Sequence, residues 1–173
     1  MAELSKRLGK TMIYLTWLFA LGLLTLFFNM ILDDQHNPNQ QVTGQSSVAG
    51  VREVVLQRNR SGHYVANGQI NGTPVLFFLD TGATMVAIPE HLANQLQLHK
   101  GMAMELNTAN GVVTAYNTQL DTITLGTIEL HKIRASINPS MSDDQVLLGM
   151  SFLKHLEFTQ RSDTLVLRQY PSP

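Results

Sequence analysis

The chain has 173 residues, a formal net charge of −1 and 44% hydrophobic residues. This length suits one ordinary domain with an appendage, and the near-neutral net charge gives no indication of a nucleic-acid-binding surface. The absence of cysteine excludes disulfides and thiolate metal sites. The histidines lack metal-type spacing, so we expect neither a metal nor a cofactor.

The N-terminal part of the chain contains an apolar segment, residues 11–32, that carries no charge and is long enough to cross a bilayer. Basic residues precede it and acidic residues follow it: Lys6, Arg7, Lys10, Asp33 and Asp34. This asymmetry predicts a single-pass transmembrane anchor with residues 1–10 in the cytoplasm and the rest outside. A cleaved signal peptide is the alternative, but the segment is too long and no Ala-x-Ala site follows it.

Residues 33–50 are rich in Gln, Asn, Ser and Gly and show no apolar period, so we predict a flexible linker. The folded domain is then expected over residues 51–170, with a short tail at 171–173. It reads as short strands separated by turn residues. Strands 51–58 and 63–70 flank a predicted hairpin, and Asn71-Gly72 predicts a tight turn into strand 73–79.

A brief strand at 85–88 follows, and Pro89 opens a predicted short helix over 89–96. Further strands are predicted at 102–107, 112–125, 128–137 and 146–149, then a helical turn at 151–155 and a hairpin of strands 157–161 and 164–168. An internal echo links two of these regions. Strand 75–79 and strand 146–148 each run into a glycine turn and then a short helix, which indicates a two-fold repeat.

The chemistry-bearing motif is Asp80-Thr81-Gly82, which directly follows the apolar run 75–79. A buried strand that ends this way places a carboxylate at a tight turn, where Gly lets the backbone approach a ligand closely. The triplet occurs once in the chain. Carboxylate-based hydrolysis therefore requires a second carboxylate from a second copy of the chain.

Several segments together resemble the retroviral-type (retropepsin-like) aspartic proteases, in particular their membrane-anchored bacterial branch. The resemblance covers residues 54–167 and the N-terminal anchor. It rests on Phe78-Leu79-Asp80-Thr81-Gly82-Ala83-Thr84, Thr108-Ala109-Asn110-Gly111 and Val146-Leu147-Leu148-Gly149-Met150-Ser151-Phe152-Leu153. It implies an all-β fold, a small closed barrel with one or two short helices, behind a transmembrane helix.

The resemblance also implies a homodimer that hydrolyses peptide or protein substrates. Asp80 is then the catalytic carboxylate, paired with its copy in the second subunit, and Thr81, Gly82, Ala83 and Thr84 complete the active-site loop. Thr108, Ala109, Asn110 and Gly111 form the flap tip over the substrate, and Leu148 and Gly149 support the loop from behind. The domain would face the periplasm from the bacterial inner membrane, without a nucleic-acid partner.

Two alternatives remain beside this reading. A non-catalytic module with a protease-like β fold would capture an extended peptide by strand addition and tolerate Asp80→Asn. An actin-like ATPase shares Asp-x-Gly-x-Thr turns but requires alternating helices and two α/β lobes, for which this strand-rich domain is too short. For the protease, Met85, Val86, Ile88 and Val112 predict an apolar cleft that prefers extended apolar segments.

Overall fold

The computed structural model of the protein describes residues 2–47, 50–108 and 111–171. The chain divides into two compact units, one that ends at His36 and one that begins at Asn37. The elements are α1 (Ala2–His36), β1 (Gly44–Ser46), β2 (Arg52–Gln57), β3 (Val65–Ile70), β4 (Thr73–Leu79), β5 (Val86–Pro89), α2 (Glu90–Gln95), β6 (Ala103–Thr108), β7 (Gly111–Leu125), β8 (Ile128–Asn138), β9 (Gln145–Leu148), α3 (Met150–Leu153), β10 (Glu157–Arg161) and β11 (Thr164–Gln169).

The first unit is the single helix α1. It contains a candidate membrane span, Met12–His36, of 25 residues, within which an 18-residue window has a mean hydropathy of 2.1 and is not buried inside the protein. By length and composition this helix is sufficient to cross a membrane. A helix apolar on every side is stable where its surroundings are themselves apolar.

Six strands of the second unit form a roughly closed ring in the order β3-β4-β9-β5-β8-β7. The ring closes because β3 also pairs with β7, through Gln69 with Thr124 and Ile70 with Ile123. Strand β6 adds to β7 outside the ring as an antiparallel hairpin. The predicted all-β fold with short helices is therefore confirmed.

The interior of the second unit is one apolar core to which both sheets and both short helices contribute. Alternate residues of strands such as β2 and β11 are buried in it, as the two-residue period of a strand predicts. Its largest fully buried side chains are Phe77, Phe152, Leu56, Ile70, Ile88, Leu120, Ile123, Leu125, Ile128, Ile137, Leu148 and Leu153. Each such burial contributes about 1.5–3 kcal/mol of transfer free energy, so the core is the main source of stability.

A second sheet has the order β1-β2-β11-β10 and joins the two ends of the domain. Strand β2 pairs along its whole length with β11, from Arg52 opposite Gln169 to Gln57 opposite Thr164. Arg168 in β11 donates hydrogen bonds to Glu53 at 2.7 Å and to Glu157 at 3.1 Å, which raise the pKa of its guanidinium. The sheet thereby ties the start of the domain to its end.

The predicted hairpin between strands 51–58 and 63–70 is wrong, because β2 and β3 belong to different sheets. The turn itself forms, since the Asn59 side chain accepts hydrogen bonds from the backbone N–H groups of Ser61 and His63. Beyond the turn the strands diverge. Six-residue pairing with β11 outweighs the local tendency of β2 to fold back on its neighbour.

The predicted flexible linker over residues 33–50 also differs from the structure. Helix α1 continues to His36, Asn37 and Asn39 are buried, and β1 pairs with β2. The Asn39 amide donates to Gln57 O at 2.9 Å and Val65 O at 2.7 Å, and its side-chain oxygen accepts from Gln57 N at 2.7 Å. It thus clamps the end of β2 to the start of β3. The asparagines of this segment therefore form hydrogen bonds to backbone groups of the domain, whereas the linker prediction assumed that they are exposed to water.

The tight turns predicted from local chemistry form where expected. Asn71 and Gly72 have φ of 49° and 79°, and they join Ile70 to its partner Thr73 across the β3–β4 hairpin. Asn and Gly tolerate this left-handed backbone better than other residues. At the C-terminal hairpin, Arg161 pairs with Thr164 across a two-residue turn.

Candidate active site

The Asp80 loop is positioned by two neighbouring parallel strands of the ring. Strand β4 lies beside β9, so that Leu79 is opposite Leu148 where both strands end. The backbone N–H of Asp80 donates to Leu148 O at 3.3 Å. The two segments of the predicted repeat are therefore neighbours. The first carries a carboxylate at its turn, and the second carries Gly149 at the equivalent place.

Short local hydrogen bonds hold both the side chain and the backbone of Asp80 within the loop. Asp80 Oδ1 accepts from the backbone N–H of Gly82 at 2.8 Å, and Asp80 O accepts from the N–H of Ala83 at 3.2 Å. A Cβ at position 82 would lie 3.1 Å from Asp80 Oδ1, so glycine permits this close turn. Asp80 is half-buried, and its Oδ1 atom is directed toward the backbone of Gly82.

The segment around Gly149 supports the loop from behind, where Leu148 and Gly149 are both buried. The backbone N–H of Met150 donates to Ala83 O at 2.8 Å, and that of Ser151 donates to Thr84 O at 3.0 Å. The Ser151 hydroxyl oxygen then accepts from the N–H of Val86 at 2.9 Å. These bonds attach the C-terminal end of the Asp80 loop, and the start of β5 that follows it, to the first turn of α3.

A groove of about 510 Å³ opens over the loop. It is lined by Asp80, Gly82, Ala83, Thr84, Met85, Ala87, Leu106, Asn107, Val113, Ser136, Asn138, Ser140, Met141 and Leu147. Asp80 is the one ionisable side chain among these described lining residues. A carboxylate in a mostly apolar groove has the surroundings of a catalytic acid or base.

The hairpin of β6 and β7 forms the opposite wall of the groove through Leu106, Asn107 and Val113. Thr108 pairs with Gly111 at its end. The predicted tip residues Ala109 and Asn110 lie outside the described residues. Their flap role therefore stays a prediction, and the structure places the residues next to the tip of that hairpin at the groove.

Three of the four residues expected to line an apolar cleft lie elsewhere. Val86 and Ile88 are fully buried in the core, and Val112 is exposed outside the groove. Met85 does line it, together with Ala87. Successive side chains of a strand point to opposite faces, so β5 turns alternate residues toward the groove.

Sequence reasoning missed the contribution of β8 and the loop that follows it. Ser136, Asn138, Ser140 and Met141 line the groove more than 50 positions after Asp80. They are brought there because β8 runs parallel to β5, with Val86 opposite Ala135. The only feature of the sequence that could have indicated them is the group of small polar residues, Ser136, Asn138 and Ser140, at the end of a strand.

Thr81 faces a second cavity of about 590 Å³ on the other side of the loop. Asp80 contributes to both cavities. The second is lined by His63, Tyr64, Phe78, Leu79, Asp80, Thr81, Leu153, Phe158, Gln160, Leu165 and Leu167. The loop therefore separates the groove from an open, largely apolar face that reaches β10.

Comparisons with known proteins agree with this geometry. A family model described as "gag-polyprotein putative aspartyl protease" matches residues 66–155, which contain the Asp80 loop, the β6–β7 hairpin and α3. An uncharacterised protein encoded in the cobV 5′ region of Sinorhizobium sp. is 36% identical over 123 residues, which cover 69% of this chain and 53% of that protein. An uncharacterised protein of Rickettsia prowazekii is 31% identical over 121 residues, or 68% and 52% of the two chains.

Among solved structures, a retropepsin-like aspartic protease from Rickettsia conorii is similar, with a TM-score of 0.56 and 26% sequence identity. The similarity covers 75% of this chain and 95% of that one. The chain spans about half the length of the curated relatives it matches.

Proposed function

Because the chain belongs to the gag-polyprotein aspartyl protease family and has a retropepsin-like fold, we propose that it is an aspartic endopeptidase. The observation that carries this proposal is the half-buried Asp80 carboxylate, fixed by Gly82 at the base of a groove that passes under the β6–β7 hairpin. An extended peptide fits such a groove by pairing with the hairpin strands. The apolar lining favours substrates whose side chains near the cleaved bond are uncharged.

The reaction requires two copies of the chain. Asp80 is the only carboxylate among the described residues that line the groove, and peptide hydrolysis by carboxylates uses a base and an acid together. With two Asp80 side chains side by side, mutual repulsion leaves one proton shared between them. The ionised carboxylate takes a proton from water, and the protonated one donates to the carbonyl oxygen of the cleaved bond.

The exposed side chain of Thr81 lies beside Asp80 on the face away from the groove. In the proposed homodimer its hydroxyl donates a hydrogen bond across the axis and holds the two active-site loops together. The hairpin tip, residues 108–111, closes over the peptide and excludes water. Each copy thus supplies one carboxylate and one flap.

A mixing experiment tests whether the site is shared between copies. Wild-type protein is reconstituted in lipid vesicles with an equal added amount of the Asp80→Asn variant, at a density where all chains are paired. Random pairing lowers cleavage of a peptide library to about half of that of the same wild-type protein alone. An equal addition of the Asp121→Asn variant, which is changed at an exposed position of β7, does not lower the rate of peptide cleavage.

An unchanged rate with the Asp80→Asn addition would contradict a shared site, because each copy would then act alone. If the wild-type protein binds peptides but does not cleave them, the protease hypothesis is wrong and the peptide-binding module is supported instead.

We further propose that α1 anchors the protein in the bacterial inner membrane, with the N-terminus cytoplasmic and the protease domain periplasmic. The positive charges at the N-terminal end of α1, before its apolar stretch, favour this orientation. Confinement to a plane also raises the effective concentration of the copies, so a fragment without α1 should dimerise weakly.

Single cysteines in this cysteine-free chain test the orientation. A membrane-impermeant maleimide is expected to label Ser61→Cys, in an exposed turn, in spheroplasts. It should label Ala2→Cys only after lysis. The reverse pattern would contradict the proposed topology.

A further inference from the structure

Strand β10 is an open edge of the four-stranded sheet. Within the described residues it pairs with β11 alone, through five residue pairs from Glu157 with Arg168 to Arg161 with Thr164. An edge strand presents unpaired N–H and C=O groups that are ready to pair with another chain. The opposite edge, β1, has only three residues. The longer edge is therefore the better surface for strand pairing.

The register of the C-terminal hairpin shows which groups point outward. Arg161 and Thr164 flank a two-residue turn, so they exchange hydrogen bonds, as do Thr159 and Val166 two positions on. Hydrogen-bonded and non-hydrogen-bonded pairs alternate along an antiparallel ladder. The backbone N–H and C=O groups of Phe158 and Gln160 therefore point away from β11, toward the open edge.

The same two residues border the catalytic loop. Phe158 is opposite Leu167 and Gln160 opposite Leu165, so their side chains share the inner face of the sheet. All four line the cavity into which Asp80 and Thr81 also project. Phe158 is 42% exposed, a large apolar side chain at an open edge. The open edge and the incomplete half-site thus face the same cavity.

We propose that two copies of the chain pair through β10, edge to edge and antiparallel about Thr159. This inference rests on the homodimer of the proposed function and identifies its interface. Phe158 of each copy then lies opposite Gln160 of the other, and the outward groups form about four backbone hydrogen bonds. The two four-stranded sheets become one continuous sheet, and each copy closes the other's cavity beside Asp80.

The sequence of β10 is self-complementary in this register. Pairing about Thr159 places Glu157 of each copy opposite Arg161 of the other copy, on the outer face of the sheet. Opposite charges directly across a ladder stabilise it, and a two-fold interface requires such self-complementarity. A shift of the axis to Phe158 or Gln160 shortens the overlap and separates these charges. Strands β2 and β11 already pair within one copy, which leaves β10 for the contact.

Cysteine cross-linking tests this register in the full-length protein in its membrane. Thr159 would face its own copy as a non-hydrogen-bonded pair, with Cα atoms about 4.5 Å apart, within the roughly 4.4–6.8 Å range of disulfides. Thr159→Cys is therefore expected to give mostly disulfide-linked dimer when copper–phenanthroline oxidises the two thiols. Gln45→Cys, at the opposite edge of the sheet, is the matched control and should give at least about ten-fold less dimer.

A second variant removes only the proposed intermolecular bonds. Gln160→Pro deletes an outward N–H without touching the β10–β11 ladder, and an edge strand tolerates proline. Adding it to Thr159→Cys should lower cross-linking at least about ten-fold. Circular dichroism checks that the double variant remains folded.

Cleavage measured on the same samples separates this inference from the proposed function. Poor cross-linking at position 159, with activity that still depends on two Asp80 copies, would overturn pairing through β10 and leave the dimeric protease intact. Efficient cross-linking at position 159 supports the interface even when no peptide is cleaved, in which case the proposed function fails alone.

Discussion

Replacing Asp80 by asparagine is expected to lower peptide cleavage by about 10²–10⁴-fold, the usual contribution of a positioned acid–base group. The amide neither takes a proton from water nor shares one with a second copy. The fold should remain, because the asparagine side-chain oxygen still accepts the hydrogen bond that Asp80 Oδ1 receives from Gly82 N at 2.8 Å. The measurement is the initial rate of cleavage of a peptide library by each full-length protein in lipid vesicles.

The control for this loss is Asp121→Asn, which removes one negative charge at an exposed position of β7, away from both cavities. It should cleave at the wild-type rate, and both variants should melt at the wild-type temperature. If Asp80→Asn retains more than about a tenth of the activity, Asp80 is not the acid–base group of this site.

Adding one methyl group at Gly149 is expected to destabilise the domain by about 3 kcal/mol, at the upper end of overpacking effects. A Cβ at this position would lie 2.4 Å from Met85 O and 2.6 Å from Ala83 O. The backbone at Gly149 has φ of −89°, which any residue adopts, so space and not conformation is the obstacle. Both contacts are backbone atoms, which move only if the Asp80 loop and the residues that follow it move.

Thermal unfolding should therefore show a melting temperature about 10 °C lower for Gly149→Ala. Cleavage should fall as well at temperatures where the variant stays folded, because Ala83 O accepts the hydrogen bond from Met150 that holds the loop. Gly22→Ala is the matched control, since a Cβ there meets nothing within 4 Å. Equal melting temperatures for wild type and Gly149→Ala would refute this account of the loop support.

The shape of the Asp80 loop was largely predictable because the patterns that specify it are local. An apolar strand that runs into Asp-Thr-Gly, an Asn-Gly pair between two strands and a second strand that ends in Gly149 are short patterns. Each is decided by backbone geometry and side-chain size. The turn at Asn71-Gly72 formed with the left-handed backbone that these two residues favour.

The groove was less predictable because its walls come from distant segments. Ser136, Asn138 and Met141 reach Asp80 only through the parallel pairing of β5 with β8. Val86 and Ile88, which looked equally suitable, face the core, since a strand shows alternate residues to each side. The hydrophobicity of neighbouring residues does not predict which face of a strand lines a ligand groove.

The sequence by itself determined the membrane-length helix, the all-β class, the turn at Asp80-Thr81-Gly82 and the turn at Asn71-Gly72, since each follows from composition or from neighbouring residues. Only the tertiary structure decided that β2 pairs with β11, that Asn39 clamps the expected linker onto the domain, and that β10 remains open beside Asp80. These choices depend on the free energy of the whole core. Pairing between the two ends of the domain buries apolar surface and satisfies backbone groups that no local pattern specifies.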